Sequence, residues 1–573
     1  MARDLESGAV ESQTLTNVEY IPVPADEMSE DLEEISLEEK DVLEAADEIS
    51  LGEASPLGSE LEMPLVPSRP PPLWVCCFKM VFWALVPSFL HPTDPRKAVK
   101  PLHPTAWLDG LRGVAAFLVV CHHWSLLNFS MRIHKGFGSD AQPLVIQLPI
   151  IRLLVSGYWA VCVFFVISGF ALSLKPMKLL SQKRRSDFAA AAASAVLRRW
   201  IRIFLPPAVT TFVVACMAHA GWFEVQSAPA ASGLPRLRPA LAGSFLGQVH
   251  DWWSHTVVFA EPLSTNMWRG GLYAYDAVLW TIPVEFSCSL VLFLAHVAFS
   301  RLRPNPRSFA HVSLTAWALY LNRWEIFLFF AGLCCADLQA RMPQKACTGD
   351  SPDDGLAEQD TLLLWSRPLR RDSFSRLQSA VSSSPAWSTC KKTAAFASFI
   401  TALYLLSYPR LLLDAAATPG YRALAAATPA QYDNGWSLWI SLGAVLLVLT
   451  VQASPQLQSL FTNPLTQYLG RISFALYLVH NPMLWVCGWH LVRFFANFTG
   501  VETEGQRGLA IFFGTCFFFP AVFCVADFTQ RYVDAKAVSF AAWFERKVIE
   551  KEEYEPGRYS GSAMAGHLIG SNT

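Results

Sequence analysis

The chain has 573 residues, of which 52% are hydrophobic and only 16% charged, with 20 Trp and 39 Phe. That balance argues against an ordinary soluble enzyme and makes the bilayer the solvent to assume. The formal net charge of −2 hides an acidic front end and a basic remainder whose cations gather in particular loops, so no nucleic acid partner is implied.

In chain order, residues 1–71 come first. Asp and Glu crowd the stretch from Asp26 to Glu62, and Arg3, Lys40 and Arg69 are the only cations. Such a segment buries too little apolar surface to offset ordering, so it reads as a disordered acidic tail on the cytosolic side. No apolar run lies near Met1, hence no secretory signal is expected. Residues 72–104 hold the apolar stretch Trp74 to Leu90, which Lys79 and Pro87 interrupt; they read as an interfacial helix and linker.

From 105 to 530 the sequence alternates apolar runs with polar loops. The runs are 111–130, 155–175, 204–222, 278–300, 308–321, 324–340, 394–413, 437–453, 470–491 and 508–530. The expected fold is therefore an all-α integral membrane bundle of about ten transmembrane helices. The fifth and sixth runs are short and close together, so they either form a tight hairpin around Asn322 to Glu325 or one of them dips only partway. Residues 341–393 are rich in Ser, Pro and Asp and read as a cytosolic loop insert. Residues 531–573 read as a cytosolic carboxyl-terminal tail.

With both termini in the cytosol, the inner segments hold about three times the Lys and Arg of the outer loops, as the positive-inside rule requires. The sequons at Asn128 and Asn497 then fall on the outer side. Of the 13 Cys, most, such as Cys121, Cys162, Cys216, Cys288 and Cys516, lie inside apolar runs, while Cys347 and Cys390 share one polar loop. The outer loops have none. There is no CxxC or HExxH spacing, so neither a metal site nor a redox pair is indicated.

Ten residues separate Arg112 from His123. At about 100° and 1.5 Å per residue the two side chains share one stripe of a helix, offset by about 20° and separated by roughly 16 Å in depth, while His122 falls about 80° away. Asp109 and Gly110 read as a helix start whose carboxylate caps the first free amides. Glu285 lies in Trp280-Thr-Ile-Pro-Val-Glu-Phe286, with Pro283 freeing a carbonyl nearby. It either pairs with an Arg for assembly, orients an imidazole or contacts a hydroxyl substrate. His480, about ten residues into the ninth run, lies at a depth close to that of His123, as a bond between helices or as a catalytic group. Arg198, Arg199 and Arg202 occupy about one turn at the cytosolic rim, anchoring topology and offering a cationic surface to a polyphosphate or to lipid phosphates. In the loop 223–277, Asp251-Trp-Trp-Ser-His255 and Met267-Trp-Arg269 read as interfacial anchors or as rings that stack on a sugar. No GxSxG, Walker or dinucleotide fingerprint appears.

These motifs resemble the acyltransferase-3 family, polytopic enzymes that O-acylate sugars and other hydroxyl compounds. Leu108 to His123 is similar to the family's first helix, with its Arg and His ten residues apart, and Tyr158 to Leu174 to its second. Arg198 to Pro206 resembles the Arg-rich entry to the third. Trp280 to Phe286 and Gly470 to Pro482 resemble its Trp-x-x-x-x-Glu and Ser-x-x-x-Tyr-x-x-His blocks. The resemblance covers roughly residues 105–530. It implies ten helices, a cytosolic acyl-coenzyme A donor as co-substrate with no permanently bound cofactor, and an acceptor often on the far side. It nominates His123 as the catalytic imidazole and Arg112 as a donor-site or positioning cation; Glu285 and His480 are the further catalytic candidates, and Arg198, Arg199 and Arg202 the further donor-binding ones. The sequence departs from the family's pattern at His122, at Ser287 and Cys288 after the Glu, and in the insert 341–393. No appended soluble esterase-like domain of the kind some members possess is expected in the stretch after residue 530.

The expected activity is transfer of an acyl group, with acetyl the first candidate, to a hydroxyl of a carbohydrate or other small acceptor, with His123 as general base or as acyl relay. A proton-coupled secondary transporter also fits a few intramembrane charges, although no inverted repeat is visible. A sensor or scaffold without activity is the third reading.

Overall fold

The structure, a computed structural model, describes residues 86–88, 91, 102–139, 142–223, 241–261, 273–342, 385–410, 415–432 and 435–549. The acidic tail, nearly all of the interfacial segment 72–104, most of the insert 341–393, Met267 to Arg269 and the last part of the carboxyl tail lie outside them. The chain divides into two units, Met1–Arg69 and Pro70–Thr573. Everything below concerns the second.

Among the described residues there is no strand. The principal helices are α1 (Ala106–Asn128), α2 (Tyr158–Ser181), α3 (Arg185–His219), α4 (Phe245–Phe259), α5 (Thr281–Phe299, entered through a 3-10 turn at Ala277–Trp280), α6 (Pro304–Tyr320) and α7 (Trp324–Arg341). They continue with α8 (Pro385–Leu406), α9 (Trp436–Ala453), α10 (Pro464–Met483), α11 (Trp489–Thr499), α12 (Glu504–Thr529) and α13 (Ala535–Val548). Six spans are long and apolar enough to cross a membrane: Ala106–Asn128, Tyr158–Ser181, Arg185–His219, Ala277–Phe299, Trp436–Ala453 and Glu504–Val548. The remaining predicted runs also fall on helices, namely α6, α7, α8 and α10.

Local chemistry sets several boundaries. Pro304 and Pro464 open α6 and α10, where a missing N–H costs nothing. Asn463 caps α10, its Oδ1 accepting from the Thr466 amide at 3.1 Å. Thr503 and Gln506 form a capping box at the start of α12. The fifth and sixth runs do form a tight turn, with Asn322 at φ 54° between α6 and α7. Three features differ from expectation. The third run is part of a single helix of 35 residues that begins at Arg185, because the Ala-rich stretch before it has high helix propensity. That helix also continues through Pro206 and Pro207, where the Thr211 hydroxyl donates to the Pro207 carbonyl at 2.7 Å. The loop 223–277 contains α4, which docks by Trp252 Nε1 donating to Thr211 Oγ1 at 3.1 Å. Residues 531–548, assigned to a tail, are helical and pack on α3.

The tightest crossings are made by glycine. A Cβ on Gly113 of α1 would stand 2.3 Å from the Gly470 nitrogen of α10, and one on Gly470 would stand 2.5 Å from the Asp109 carbonyl oxygen. On the other side of the bundle, Gly169 of α2 faces the Phe329 carbonyl at 2.1 Å, and Gly332 of α7 faces that of Val166 at 2.2 Å. Without a hydrophobic drive between helices in lipid, close backbone approach through small residues is what holds such pairs together. Ahead of α1, Ser88 reaches the buried Asp527 of α12 through its amide at 3.0 Å and its hydroxyl at 2.5 Å, and Arg531 donates to the Val86 carbonyl at 3.1 Å.

Gly113→Val is expected to cost at least ~1–3 kcal/mol by overpacking and to lower the thermal midpoint of the detergent-solubilised protein markedly. Gly508→Ala, where nothing lies within 4 Å, should leave it unchanged or slightly raised. Equal midpoints for the two variants would show that the α1–α10 contact is not under steric control.

Candidate active site

The α1–α10 crossing brings the predicted pair of imidazoles together. His480 Nε2 lies 2.9 Å from His123 Nδ1, with ring centroids 5.0 Å apart. His480 Nδ1 faces two backbone carbonyls, Tyr477 at 2.8 Å and Leu476 at 3.2 Å. A carbonyl only accepts, so Nδ1 of His480 carries the proton; in the neutral ring Nε2 is then an acceptor. His123 Nδ1 must donate to it, and the His123 lone pair is left on Nε2. The His123 ring also has a hydrogen bond to the backbone of Val119, one turn back on its own helix, and the side chain is half-buried.

Two more histidines extend the row. His122 and His123 are 5.1 Å apart by ring centroid, and His122 and His134 are 5.5 Å apart. Both outer rings give Nδ1 to the Val155 carbonyl, at 2.6 Å and 2.9 Å. His122 fits only because residue 157 is glycine: a Cβ there would stand 2.6 Å from its ring.

Arg112 faces the same helix as His123, as the shared stripe predicted. Its Nε donates to Ser473 Oγ at 2.9 Å and its Nη2 to the Gly470 carbonyl at 3.1 Å. Asp109 is a correction. The helix starts at Ala106 without a side-chain cap, because the Asp109 carboxylate is taken by Arg112 at 3.1 Å and His103 at 3.3 Å. The block Ser473, Tyr477, His480 thus has a mechanical reading. Ser473 receives Arg112, His480 receives His123, and the Tyr477 hydroxyl meets Thr281 of α5 at 2.7 Å and the Val278 carbonyl.

Glu285 is not hydrogen-bonded to either imidazole. Its Oε1 accepts from Arg199 Nη2 at 2.8 Å and from Ser168 Oγ at 3.1 Å, so of the three roles open to it in the sequence, pairing with Arg is the one the geometry realises. The same arginine donates Nε to Ser289 Oγ at 3.2 Å. Arg198 pairs with Glu545 of α13 at 3.1 Å. Arg202 lies within electrostatic reach of Arg199, Arg198 and Arg112, with Asp534 as its carboxylate. The four arginines that the sequence assigned to one donor site thus lie in one cluster, and their carboxylates are Asp109, Glu285, Asp534 and Glu545.

At the other end, α10 is tied to α5 by Asn481 Nδ2 donating to Asp276 Oδ1 at 2.7 Å. Asp276 stands one residue before the fourth span. Burial pushes its carboxyl up to about 7, with the Asn481 and Val278 hydrogen bonds opposing. Asp276 Oδ2 and Asn481 Oδ1 have no partner, and a proton on the acid supplies a donor that two facing acceptor oxygens lack. Among the described residues no group of three or more His, Cys, Asp or Glu side chains is placed to hold a metal ion.

Sequence reasoning missed Tyr477, Thr281, Ser168 and Asp276 as partners. Tyr477 was present in the quoted block; Ser168 and Thr281 are single polar residues within apolar runs, Asp276 stands just before one, and none carries a spacing signal. It also passed over Arg410, the one cation inside the seventh run.

Comparison with known proteins now decides the class. Residues 105–529 match the family model described as an acyltransferase domain. The chain is similar to O-acetyltransferase PaAT-1 of Phomopsis amygdali, 34% identical over 484 residues, covering 83% of this chain and 90% of the relative. It is also similar to acyltransferase clz18 of Cochliobolus lunatus, at 24% identity covering 76% of this chain and 94% of that one, and to acyltransferase R4 of a Phoma species, at 23% identity covering 78% and 96%. No solved structure matches. The chain belongs to the acyltransferase-3 family and is an acyltransferase.

Two outcomes test this geometry. Glu285→Gln or Arg199→Gln alone should each destabilise the protein by on the order of 3 kcal/mol by leaving the other charge unpaired, and the double variant by less than their sum; strictly additive losses in thermal unfolding would contradict the pair. The folded protein holds the Asp276 proton up to about pH 7, whereas its ordinary value is 3.8. The stability from this group is complete below pH 4 and lost as pH rises through 7. The wild-type minus Asp276→Asn difference in midpoint should therefore shift between pH 4 and 8, and a flat difference would remove the assignment.

Proposed function

We propose that the protein transfers an acetyl group from acetyl-coenzyme A to a hydroxyl of a small acceptor or glycan, with His123 as the catalytic imidazole. The observation that carries this reading is the His480–His123 hydrogen bond at 2.9 Å, which commits the His123 lone pair to Nε2. As a general base, Nε2 takes the proton from the acceptor hydroxyl as that oxygen attacks the thioester carbonyl. The tetrahedral intermediate collapses with cleavage of the C–S bond, and the imidazolium returns the proton to the departing thiolate. As an acyl relay, the same lone pair attacks the thioester first and the C–S bond breaks with loss of the thiolate; the acceptor hydroxyl then attacks the acyl-imidazole, the C–N bond breaks to restore the ring, and the hydroxyl proton ends on the thiolate. In both, His480 is a positioning residue: it accepts from Nδ1–H and keeps it there while charge develops on the ring.

The donor's phosphates are assigned to the cluster of Arg112, Arg198, Arg199 and Arg202, since guanidinium forks suit phosphate oxygens. Arg112 and His123 are eleven residues apart on one helix, about 16 Å along its axis, a distance a pantetheine arm can span. All ten apolar helices cross the bilayer in this reading, with both termini and the arginine cluster on the cytosolic side. The acetyl donor and hydroxyl acceptor follow the printed activity of the Phomopsis relative.

His123→Ala should abolish acetyl transfer while leaving insertion and folding intact. His480→Ala, which frees the tautomer, should lower kcat by ~10²–10³ within the range of general acid–base contributions. The check is thioester release from acetyl-coenzyme A by purified protein, with rapid quench to detect an acyl-imidazole; wild-type turnover in His123→Ala rejects the assignment.

A further inference from the structure

The histidine end of the bundle carries a second cationic feature that the reaction above leaves unused. Arg410 follows α8. Its guanidinium carbon stands 3.0 Å from the centroid of the Tyr158 ring and 4.5 Å from that of Trp436. Tyr158 stacks on Trp280 at 6.1 Å and meets Trp436 edge-on at 5.1 Å, and Trp436 contacts Trp324 at 5.7 Å. Tyr158, Trp280, Trp324 and Trp436 stand at the starts of α2, α5, α7 and α9, so four helices bring one ring each to the same end of the bundle. All four rings and Arg410 are half-buried, as the walls of an accessible recess would be.

Two observations connect this recess to the imidazoles. Thr281, next to Trp280, holds the Tyr477 hydroxyl at 2.7 Å, and the Tyr477 ring lies 5.9 Å from that of His480. His122 interacts electrostatically with both Arg410 and His480. The recess therefore adjoins the histidine row, at the end of α1 away from Arg112.

Arg410 differs from most arginines of the bundle in what neutralises it. Arg112, Arg198, Arg199, Arg307, Arg323 and Arg341 each face a carboxylate, and Arg152, which faces none, gives Nη1 to the Ser407 carbonyl at 2.8 Å and Nη2 to the His134 carbonyl at 2.9 Å. Among the described residues Arg410 faces no carboxylate, and besides Tyr158 no group accepts its protons. A guanidinium presents five donors in a planar fork, and no Arg410 nitrogen is both buried and unpartnered, so the part of the fork that Tyr158 does not meet is open to solvent. Aromatic faces on two sides fix its plane and leave the N–H edge free to meet a ligand.

We propose that this recess is the acceptor subsite and that the acceptor carries an anionic group, a carboxylate or a phosphate, which Arg410 binds through its fork while the acceptor's hydroxyl is presented to His123 Nε2. The inference rests on the acetyl-transfer reading, and it adds the acceptor's class: a hydroxyl compound that bears a negative charge and an apolar or ring-shaped body able to lie against Trp280 and Trp436.

The test uses full-length protein in detergent and matched acceptor pairs: hydroxycarboxylic acids against their methyl esters, and sugar phosphates against the free sugars. Acetyl transfer is read with acetyl-coenzyme A, binding by thermal shift without donor, and acceptor-free hydrolysis of acetyl-coenzyme A as the internal control. The expected result is at least a tenfold preference in kcat/KM for the anionic member of one pair, carried by KM. Arg410→Ala should lose that preference while its acceptor-free hydrolysis stays within twofold of wild type, and Arg410→Lys should recover part of it. Preference among the acids or among the phosphates tells the two anion sources apart. Equal use or equal binding of charged and neutral members, or an unchanged preference in Arg410→Ala, overturns the proposal. Absence of any thioester release by wild type would instead overturn the donor reading, and the thermal-shift comparison would still decide the role of Arg410.

Discussion

The contact on which the site depends is the glycine crossing of α1 and α10. Gly113 and Gly470 remove the side chains that would otherwise hold the two backbones apart, and the helices then touch along a length that includes Arg112 at one end and His123 towards the other. Because both are straight elements with a fixed rise, closing the gap at Gly470 sets the registers of Ser473 and His480 as well. Arg112 on Ser473 and His123 on His480 are two consequences of one packing choice. A helix surface that kept ordinary side chains at these positions would separate the imidazoles beyond hydrogen-bonding reach.

The charges are distributed along the bundle in a way that packing alone does not require. At the Arg112 end each of the four arginines meets a carboxylate: Asp109 of the same helix for Arg112, Glu545 of α13 for Arg198, Glu285 of α5 for Arg199 and Asp534 for Arg202. The pairs of Arg198 and Arg199 fasten α3 to its neighbours, and Arg202 stands near three other arginines with Asp534 as its counter-charge. A buried ion pair is weak evidence of stability but strong evidence of geometry, since breaking either half is far more costly than never having had it. Between the two ends lie aromatic rings and the histidine row.

The histidine row shows how a backbone can set chemistry. Tyr477 and Val155 contribute only their carbonyl oxygens, yet these decide which nitrogen of His480, His122 and His134 holds the proton. The His123 lone pair falls on Nε2 because a carbonyl on α10, that of Tyr477, fixes the proton of His480. No side-chain motif encodes that, although the Tyr-x-x-His spacing is compatible with it.

Much of this was legible in one dimension. Apolar runs of membrane length, the ten-residue interval between Arg112 and His123, the hairpin at Asn322 and the cationic turn at Arg198 to Arg202 all follow from local composition and from the period of a helix, which is a property of consecutive residues. Tertiary structure alone decided who meets whom. It gave Glu285 to Arg199, took Asp109 from a capping role, joined four arginines from two helices into one group and placed Arg410 among four helix starts. The physical reason is that pairing across the bundle depends on which faces the glycines allow to approach, and that is a relation between residues hundreds of positions apart on which helical periodicity is silent.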